Sequence, residues 1–218
     1  MHYFPVTVLD NFFENPDQVR EFALNQKYEP DKENQWPGVR TSEIYGLNKD
    51  LWTQFTRKAF SLFYNFDKED VEWSVKSSFQ KISAKYSGGW VHTDMPEILT
   101  GIIYLNPNTK SEYGTSIFYR KKEHPFASIK NLEEKKSFYR NEMTSDDIEK
   151  YRIENNNQFE EVIRVSNAYN RLVLFDSHLF HSSNGYFGDD DEHDRLSLVF
   201  FLVKLSVESY PVARTKFY

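Results

Sequence analysis

The first third of the chain carries two stretches with the periodicity of amphipathic helices. Asn15 and Pro16 supply a helix N-cap and a first-turn proline, and apolar side chains then recur at helical spacing. A second helix is predicted over Lys49–Asn65, where apolar residues again share one face. Between them, residues 27–48 are rich in proline, glycine, asparagine and charge, which predicts loop or short irregular strand. A short apolar run at Phe4–Leu9 indicates a strand before both helices.

Beyond these helices the pattern changes to short apolar or alternating runs that end at turn residues. Such runs predict β-strands, because successive side chains of a strand point to opposite faces of the sheet. The predicted strands are Val71–Tyr86, Leu99–Leu105, Thr115–Tyr119, Leu172–Phe175 and Leu196–Leu205. Two early helices followed by many short strands predict a mainly β fold with flanking helices, which pack outside a barrel or double-sheet core.

Residues 120–160 interrupt this pattern with a highly charged segment. One helix is predicted at Ser145–Glu154, because Ser145 can cap it and acidic residues follow in its first turn. The strand pattern returns around Val162. Two interpretations remain open: a solvated insertion, which is usual for long charged connections, or a lid that covers the barrel mouth and selects the substrate.

The amino-acid composition limits the chemistry that the chain can carry. The absence of cysteine excludes a disulfide scaffold, a zinc–thiolate site and a thiol nucleophile, so any metal must be held by histidine and carboxylate. The 14 Tyr, 19 Phe and 4 Trp favour an aromatic β core. The length fits a single domain, 1–218, with N-terminal helices at about 16–65 and the charged insertion at about 120–160.

Charge and hydropathy disfavour nucleic acid and membrane as partners. The net charge of −6 argues against a phosphate backbone as the main partner, although Arg120–Lys122 form a local basic patch. The chain begins without a basic segment that leads into an apolar run, and no apolar stretch approaches the roughly 18 residues of a membrane span. We therefore expect a soluble, intracellular (cytoplasmic) protein.

One of the six histidines, His92, has a carboxylate two residues later, at Asp94. In a chain this acidic, chance gives about one such pair, so the spacing decides nothing by itself. In a strand, however, residues two apart point to the same face, so both side chains could reach one ion. A second histidine would complete a set of two nitrogens and one oxygen, which suits non-haem Fe(II) and leaves open positions on the metal.

Three histidines compete for the third ligand position. His193 lies at an acidic hairpin tip and is expected to be solvated. His178 and His181 both follow the buried strand that ends at Phe175. We prefer His181, because it ends the apolar step Leu179–Phe180 beside the strand, whereas His178 lies in the turn.

Arg195 introduces a cation at the start of the last predicted strand. An unpaired guanidinium in apolar surroundings is costly, so Arg195 needs an anionic partner. One candidate is the far carboxylate of a keto acid whose near end chelates the metal, with Ser197 adding a hydroxyl donor. The other is an acidic neighbour such as Asp194. We also expect loop 182–194 to close a hairpin that puts Arg195 one strand away from His181.

Several motifs, taken in chain order, resemble those of the 2-oxoglutarate and Fe(II)-dependent dioxygenases, in particular the prolyl-hydroxylase-like branch. The similar segments are Tyr86–Asp94 (YSGGWVHTD, the family's tyrosine, glycine turn and His-x-Asp), Thr100–Asn106 (TGIIYLN, the next strand), Gly114 and Thr115 (a glycine-rich strand entry), Asn170–Asn184 (NRLVLFDSHLFHSSN, the distal histidine) and Arg195–Ser197 (the Arg-x-Ser pair). The resemblance covers about residues 71–205.

The resemblance implies a double-stranded β-helix (jelly-roll, cupin-like) core and oxidative decarboxylation of 2-oxoglutarate coupled to hydroxylation of a substrate, with dioxygen as the second cosubstrate. The implied Fe(II) ligands are His92, Asp94 and His181. The implied 2-oxoglutarate contacts are Arg195, Ser197, Tyr104 and Tyr86. Hydroxylation is favoured because related halogenases lack the carboxylate that Asp94 retains.

The primary substrate stays open between a protein or peptide side chain, with proline favoured by the branch resembled, and a small molecule. Trp36 and Trp90 are candidate stacking partners for it, or ordinary packing residues. A second class of protein also stays open: a catalytically silent metal- or ligand-binding β-barrel that acts as an interaction module. Intact Asp94 and Arg195 favour the enzyme, because a silent module would need neither.

Overall fold

The computed structural model describes residues 3–32, 36–122, 145–189 and 193–214. In chain order the helices and strands are β1 (Thr7–Leu9), α1 (Pro16–Leu24), β2 (Tyr28–Pro30), β3 (Val39–Thr41), α2 (Ile44–Leu47), α3 (Lys49–Ser61), β4 (Glu72–Ile82), β5 (Leu99–Tyr104), β6 (Thr115–Arg120), α4 (Ser145–Asn156), β7 (Phe159–Val165), β8 (Leu172–Asp176), β9 (Phe180–Ser183), β10 (Arg195–Ser206) and α5 (Pro211–Arg214). The predicted helices and strands are all present, with ends that shift by a few residues. None of the helices in these ranges is both long and apolar enough to cross a lipid bilayer.

The strands form two antiparallel sheets, so the fold is mainly β with flanking helices, as predicted. The larger sheet has the order β1-β8-β5-β10-β4-β3-β2 and the smaller sheet the order β7-β6-β9. Because β6 and β7 pair with each other, the charged insertion is the connection between two neighbouring strands. Residues 123–144 of that insertion lie outside the described residues.

Strand β10 shows how the larger sheet separates two environments. Leu198 and Phe200 belong to the main hydrophobic core, where the Phe200 ring lies 5.3 Å from the ring of Phe55 in α3. Val199 and Phe201 alternate with them and line an interior pocket. One face of the sheet therefore forms the core beneath the helices, while the other face carries the candidate site.

The first strand begins later than the sequence predicts. β1 starts at Thr7, although the apolar run starts at Phe4. The backbone N–H groups of Tyr3 and Phe4 donate to the buried carboxylate of Asp176, at 2.5 and 3.3 Å. The Asp176 side chain therefore accepts from backbone N–H groups that would otherwise be free to pair with a neighbouring strand.

The predicted hairpin between β9 and β10 is wrong. Strand β10 pairs with β4 along one edge and with β5 along the other, so no edge is left for β9. Strand β9 pairs with β6 in the smaller sheet instead. The chain between them therefore crosses from one sheet to the other, and His181 and Arg195 line the same pocket from different sheets.

Gly101 of β5 leaves room for a large side chain on the neighbouring strand. It pairs in register with Phe200, and a methyl group on Gly101 would come within 2.1 Å of that ring. Gly101→Ala should therefore force the ring to move and lower the free energy of unfolding by about 1–3 kcal/mol, measured by urea denaturation. Gly46→Ala is the control, because nothing lies within 4 Å of its added carbon. Equal stability of the two variants would contradict this packing.

Candidate metal and cosubstrate site

His92 and His181 face each other across an isolated β-bridge. The backbone N–H of each donates to the carbonyl oxygen of the other, at 3.0 and 2.8 Å. The two ring centroids are 4.4 Å apart. His181 belongs to β9, whereas His92 lies in an extended segment that forms this single bridge rather than a regular strand. The bridge therefore replaces the strand geometry assumed from the His-x-Asp spacing.

Asp94 reaches both histidines with its carboxylate. Its backbone N–H donates to the carbonyl oxygen of Ser177 at 3.0 Å. Its two carboxylate oxygens lie 3.3 Å from Nε2 of His92 and 3.1 Å from Nε2 of His181. The hydroxyl of Thr100 donates to Oδ2 of Asp94 at 2.7 Å and so fixes the carboxylate. The three potential ligand atoms all lie within 4.8 Å of one another.

Backbone carbonyl groups set the tautomer of both rings. Nδ1 of His92 lies 2.7 Å from the carbonyl oxygen of Trp90, and Nδ1 of His181 lies 3.0 Å from that of Leu179. A carbonyl oxygen can only accept, so Nδ1 carries the proton and Nε2 of the neutral ring presents a lone pair. Both lone pairs then face the Asp94 carboxylate. A cation placed among these atoms removes the repulsion between them.

The Asp94 carboxyl is ionised at neutral pH. Burial raises its pKa, but in the metal-free cluster the positive charges and hydrogen bonds that protonated His181 and His92 rings direct at the carboxylate outweigh burial and hold that pKa well below the usual range. The site thus offers two imidazole nitrogens and one carboxylate oxygen, and each of the three side chains is oriented by a further hydrogen bond. This donor set fits a non-haem Fe(II) ion.

The other histidines that the structure describes lie away from this cluster. Nδ1 of His178 lies 3.0 Å from a carboxylate oxygen of Asp176, within the turn where the sequence placed it. His193 is exposed. His2 and His124 lie outside the described residues. Within the described part of the chain, the cluster above is the group of side chains that could hold a metal.

Arg195 brings a buried cation to the same pocket. Its guanidinium carbon lies 5.3 Å from the centroid of the Tyr104 ring and 5.8 Å from that of the Tyr186 ring. The residue is 3% exposed, and its Nε has no hydrogen-bond partner among the residues that the structure describes, Asp194 included. A buried N–H of a cation without an acceptor is costly, so an anionic ligand in this pocket fits the arrangement.

Ser197 and Tyr104 lie next to Arg195 and pair with each other in register. Oγ of Ser197 is buried without a hydrogen-bond partner in the described ranges, and the hydroxyl of Tyr104 lies 2.8 Å from Oγ1 of Thr115. Burial raises the pKa of Tyr104 and of Tyr186, and the positive charge of Arg195 offsets only part of this rise. Both phenols therefore stay protonated and able to donate to an anion.

Tyr86 packs in an aromatic cluster beside the pocket, and its role as a cosubstrate contact stays a prediction. It is buried in a cluster with Ile82, Trp90 and Tyr186, and its ring packs edge-on against Tyr186 at 6.2 Å between centroids. Of the two tyrosines, Tyr186 lines the pocket beside Arg195, and Tyr86 is not among the described lining residues. Sequence reasoning missed Tyr186 because it lies in the connection between the sheets, where no periodicity marks a direction.

The pocket wall formed by β3 and β4 was also not predicted. Arg40 lines it with a guanidinium 4.2 Å from the ring centroid of Trp36, and it donates to Oε1 of Gln80 at 3.4 Å. Arg40 pairs in register with Gln80, and Gln80 pairs with Ser197, so this row of residues continues from Arg40 to Ser197. Arg40 falls in a stretch predicted as loop or short irregular strand, where no regular alternation indicated its inward direction.

Solved structures with a similar fold are oxygenases. A prolyl hydroxylase from Trichoplax adhaerens, in complex with a hypoxia inducible factor peptide, matches with a TM-score of 0.55 at 14% identity, over 91% of this chain and 83% of that one. HygX from Streptomyces hygroscopicus, with nickel and 2-oxoglutarate bound, gives 0.54 at 11% identity over 93% and 84%. An oxidoreductase of the 2OG-Fe(II) oxygenase family from Burkholderia pseudomallei gives 0.52 at 11% identity over 91% and 84%. The chain therefore has the jelly-roll fold that these oxygenases share.

The sequence also identifies a particular family. Residues 2–202 match the family of unknown function DUF6445, and the chain belongs to that family. No protein with a curated function matches the sequence significantly. The activity must therefore be inferred from the site.

Proposed function

We propose that this protein is a non-haem Fe(II) oxygenase that couples oxidative decarboxylation of 2-oxoglutarate to hydroxylation of a primary substrate. One observation carries the proposal: a single pocket contains a cluster of two histidines and one carboxylate together with a buried arginine. The cluster suits a divalent metal, and the arginine suits the far end of a dicarboxylate. The fold supports the same class.

In this proposal His92, Asp94 and His181 are the iron ligands. The backbone carbonyl groups beside the two rings keep each Nε2 available, and Thr100 keeps the carboxylate oriented. Iron, when bound, supplies the activation of dioxygen that no side chain provides. The residues of the pocket bind and orient the reactants, so no protein acid or base is assigned.

The cosubstrate would be held at its far end by Arg195. A guanidinium presents two parallel N–H groups that match a carboxylate, which suits the C5 group of 2-oxoglutarate. Ser197 and Tyr104 add hydroxyl donors. Tyr186, whose ring lies beside Arg195, would be a further hydroxyl donor next to the predicted Tyr86. Arg195 and the three metal-ligand candidates line one pocket, so the keto end of the bound molecule would be directed at the metal.

A single domain over residues 1–218 would carry this whole site. The prolyl hydroxylase relative holds a peptide, and a further HygX structure holds hygromycin B. A protein or peptide side chain and a small molecule therefore both stay within the proposal as primary substrate. The net charge of −6 disfavours nucleic acid.

Formation of succinate tests the proposal and separates it from a catalytically silent barrel. The purified protein with Fe(II), 2-oxoglutarate and dioxygen should release succinate slowly even when the primary substrate is missing. Protein loaded with Zn(II), which has no redox chemistry, is the control and should release none. A folded, iron-loaded protein that forms no succinate would contradict the enzyme and leave the silent barrel.

A further inference from the structure

The segment that leads into His92 is enclosed on two sides by other parts of the chain. On one side, the N–H of Gly89 donates to the carbonyl oxygen of Ser183 in β9 at 3.0 Å, and a methyl group on Gly89 would lie 2.7 Å from the backbone of Ser183. On the other side, a methyl group on Gly88 would lie 3.1 Å from the guanidinium of Arg152 in α4. The helix of the charged insertion therefore packs directly on this segment.

Two asparagines at the end of α4 hold the backbone of the segment. Oδ1 of Asn156 accepts from the N–H of Val91 at 2.9 Å, and Nδ2 of Asn156 donates to the carbonyl oxygen of Gly89 at 3.0 Å. Nδ2 of Asn155 donates to the carbonyl oxygen of Val91 at 3.2 Å. Asn156 thus bonds on both sides of Trp90 and fixes the peptide groups around it.

The residue between these bonds is the one that orients His92. The carbonyl oxygen of Trp90 accepts a hydrogen bond from the Nδ1–H of His92, which leaves Nε2 for the metal. A shift of the Gly89–Val91 backbone would move this carbonyl and with it the His92 ring. Hydrogen-bond partners of this outer kind tune metal affinity by about 10–100-fold in other metalloproteins.

We propose that Asn156, assisted by Asn155, is a positioning residue for the metal site, and that α4 of the charged insertion acts as a latch on the His92 segment. The inference rests on the proposed function, because it assumes that His92 binds the metal. This role is separate from the two sequence interpretations of the whole insertion, a solvated segment and a lid: it assigns to α4 the contacts with the backbone that leads into His92.

A second set of contacts supports the latch. The hydroxyl of Ser87 donates to the Glu149 carboxylate, and Arg152 forms an ion pair with that same carboxylate, with Nε at 3.0 Å. The hydrogen bond from Arg152 lowers the pKa of Glu149, although burial opposes it. One charged pair of α4 thus holds the start of the segment, while the asparagines hold its end.

The affinity for Co(II), a redox-stable stand-in for Fe(II), tests the latch. Asn156→Ala should raise the dissociation constant of Co(II) about 10–100-fold. Asn157→Ala is the matched control: this neighbouring asparagine is exposed, and it should leave the constant within about twofold of wild type. The thermal unfolding midpoint of each metal-free variant is measured in parallel, because a purely structural role would lower that midpoint without changing the affinity of the folded protein.

Each outcome decides the question. A folded Asn156→Ala variant with wild-type Co(II) affinity, or equal weakening in both variants, would overturn the latch. If Asn156→Ala does not fold, Asn156→Ser, which keeps a small polar side chain too short to span both bonds, is held to the same criterion. Failure of the wild type to bind Co(II) would overturn the proposed metal site and this inference together, so the two failures are distinguishable.

Discussion

The His181→Ala variant should bind Fe(II) at least about 100-fold more weakly than the wild type and should form no iron-dependent succinate. Outer partners of a metal ligand account for up to about 100-fold in affinity, so loss of a ligand itself should exceed that figure. Without this ring, the site retains one nitrogen and one carboxylate, held by Thr100 and by the peptide of Trp90. Binding is measured by anaerobic titration, and succinate by chromatography.

The control for this variant is His178→Ala. His178 lies three residues away and was the competing candidate for the third ligand, but its ring contacts Asp176 instead of the cluster. Loss of that ring should leave Fe(II) affinity and succinate formation close to wild type. Two results would show that the wrong histidine has been assigned. One is iron-dependent succinate formation by His181→Ala. The other is loss of succinate formation in a folded His178→Ala variant while His181→Ala keeps it.

Arg195→Ala should raise the 2-oxoglutarate concentration needed for half-maximal turnover by roughly two to three and a half orders of magnitude. Removal of one partner of a buried ion pair costs about 3–5 kcal/mol, because the other charge stays buried and unpaired, and each 1.4 kcal/mol corresponds to about tenfold in concentration. Fe(II) affinity in the absence of cosubstrate should stay unchanged, since Arg195 contacts none of the three ligands. Steady-state succinate formation gives the first quantity and metal titration the second.

Arg164→Ala is the matched control, because it removes an arginine that lies outside the pocket. Arg164 is exposed on β7 and pairs with Glu161, so its removal should change neither quantity. Arg195→Lys adds a finer control, because it keeps the charge but loses the planar pair of N–H groups and should fall between wild type and alanine. An unchanged 2-oxoglutarate requirement in Arg195→Ala would remove this residue from the site.

The parts of the site that could be predicted from the sequence lie in short, regular segments. The run from Leu172 to Phe175 marks a buried strand, so the position of His181 just after it could be inferred from apolar steps. The inward direction of Arg195 could be inferred in the same way, because alternation along the strand puts it on one face with Val199 and Phe201. In both cases, a local period fixed where the side chain would point.

The parts that could not be predicted depend on contacts between distant segments. Strand β9 joins the sheet that has a free strand edge, and a local sequence pattern does not show which edges are free. Tyr186 and Arg40 lie in connections or very short strands, where direction is set by the packing around them. In the sequence, the asparagines of α4 look like an ordinary polar end of a helix. Their hydrogen bonds become evident only from the structure, where the helix packs against Val91.

The central claim, that one pocket binds both Fe(II) and 2-oxoglutarate, is tested most directly by anaerobic visible spectroscopy. The wild-type protein with Fe(II) should develop a weak metal-to-ligand charge-transfer band when 2-oxoglutarate is added, because the band requires both molecules in contact. The band should be absent from His181→Ala. A folded wild-type protein that shows no band under these conditions would contradict the account.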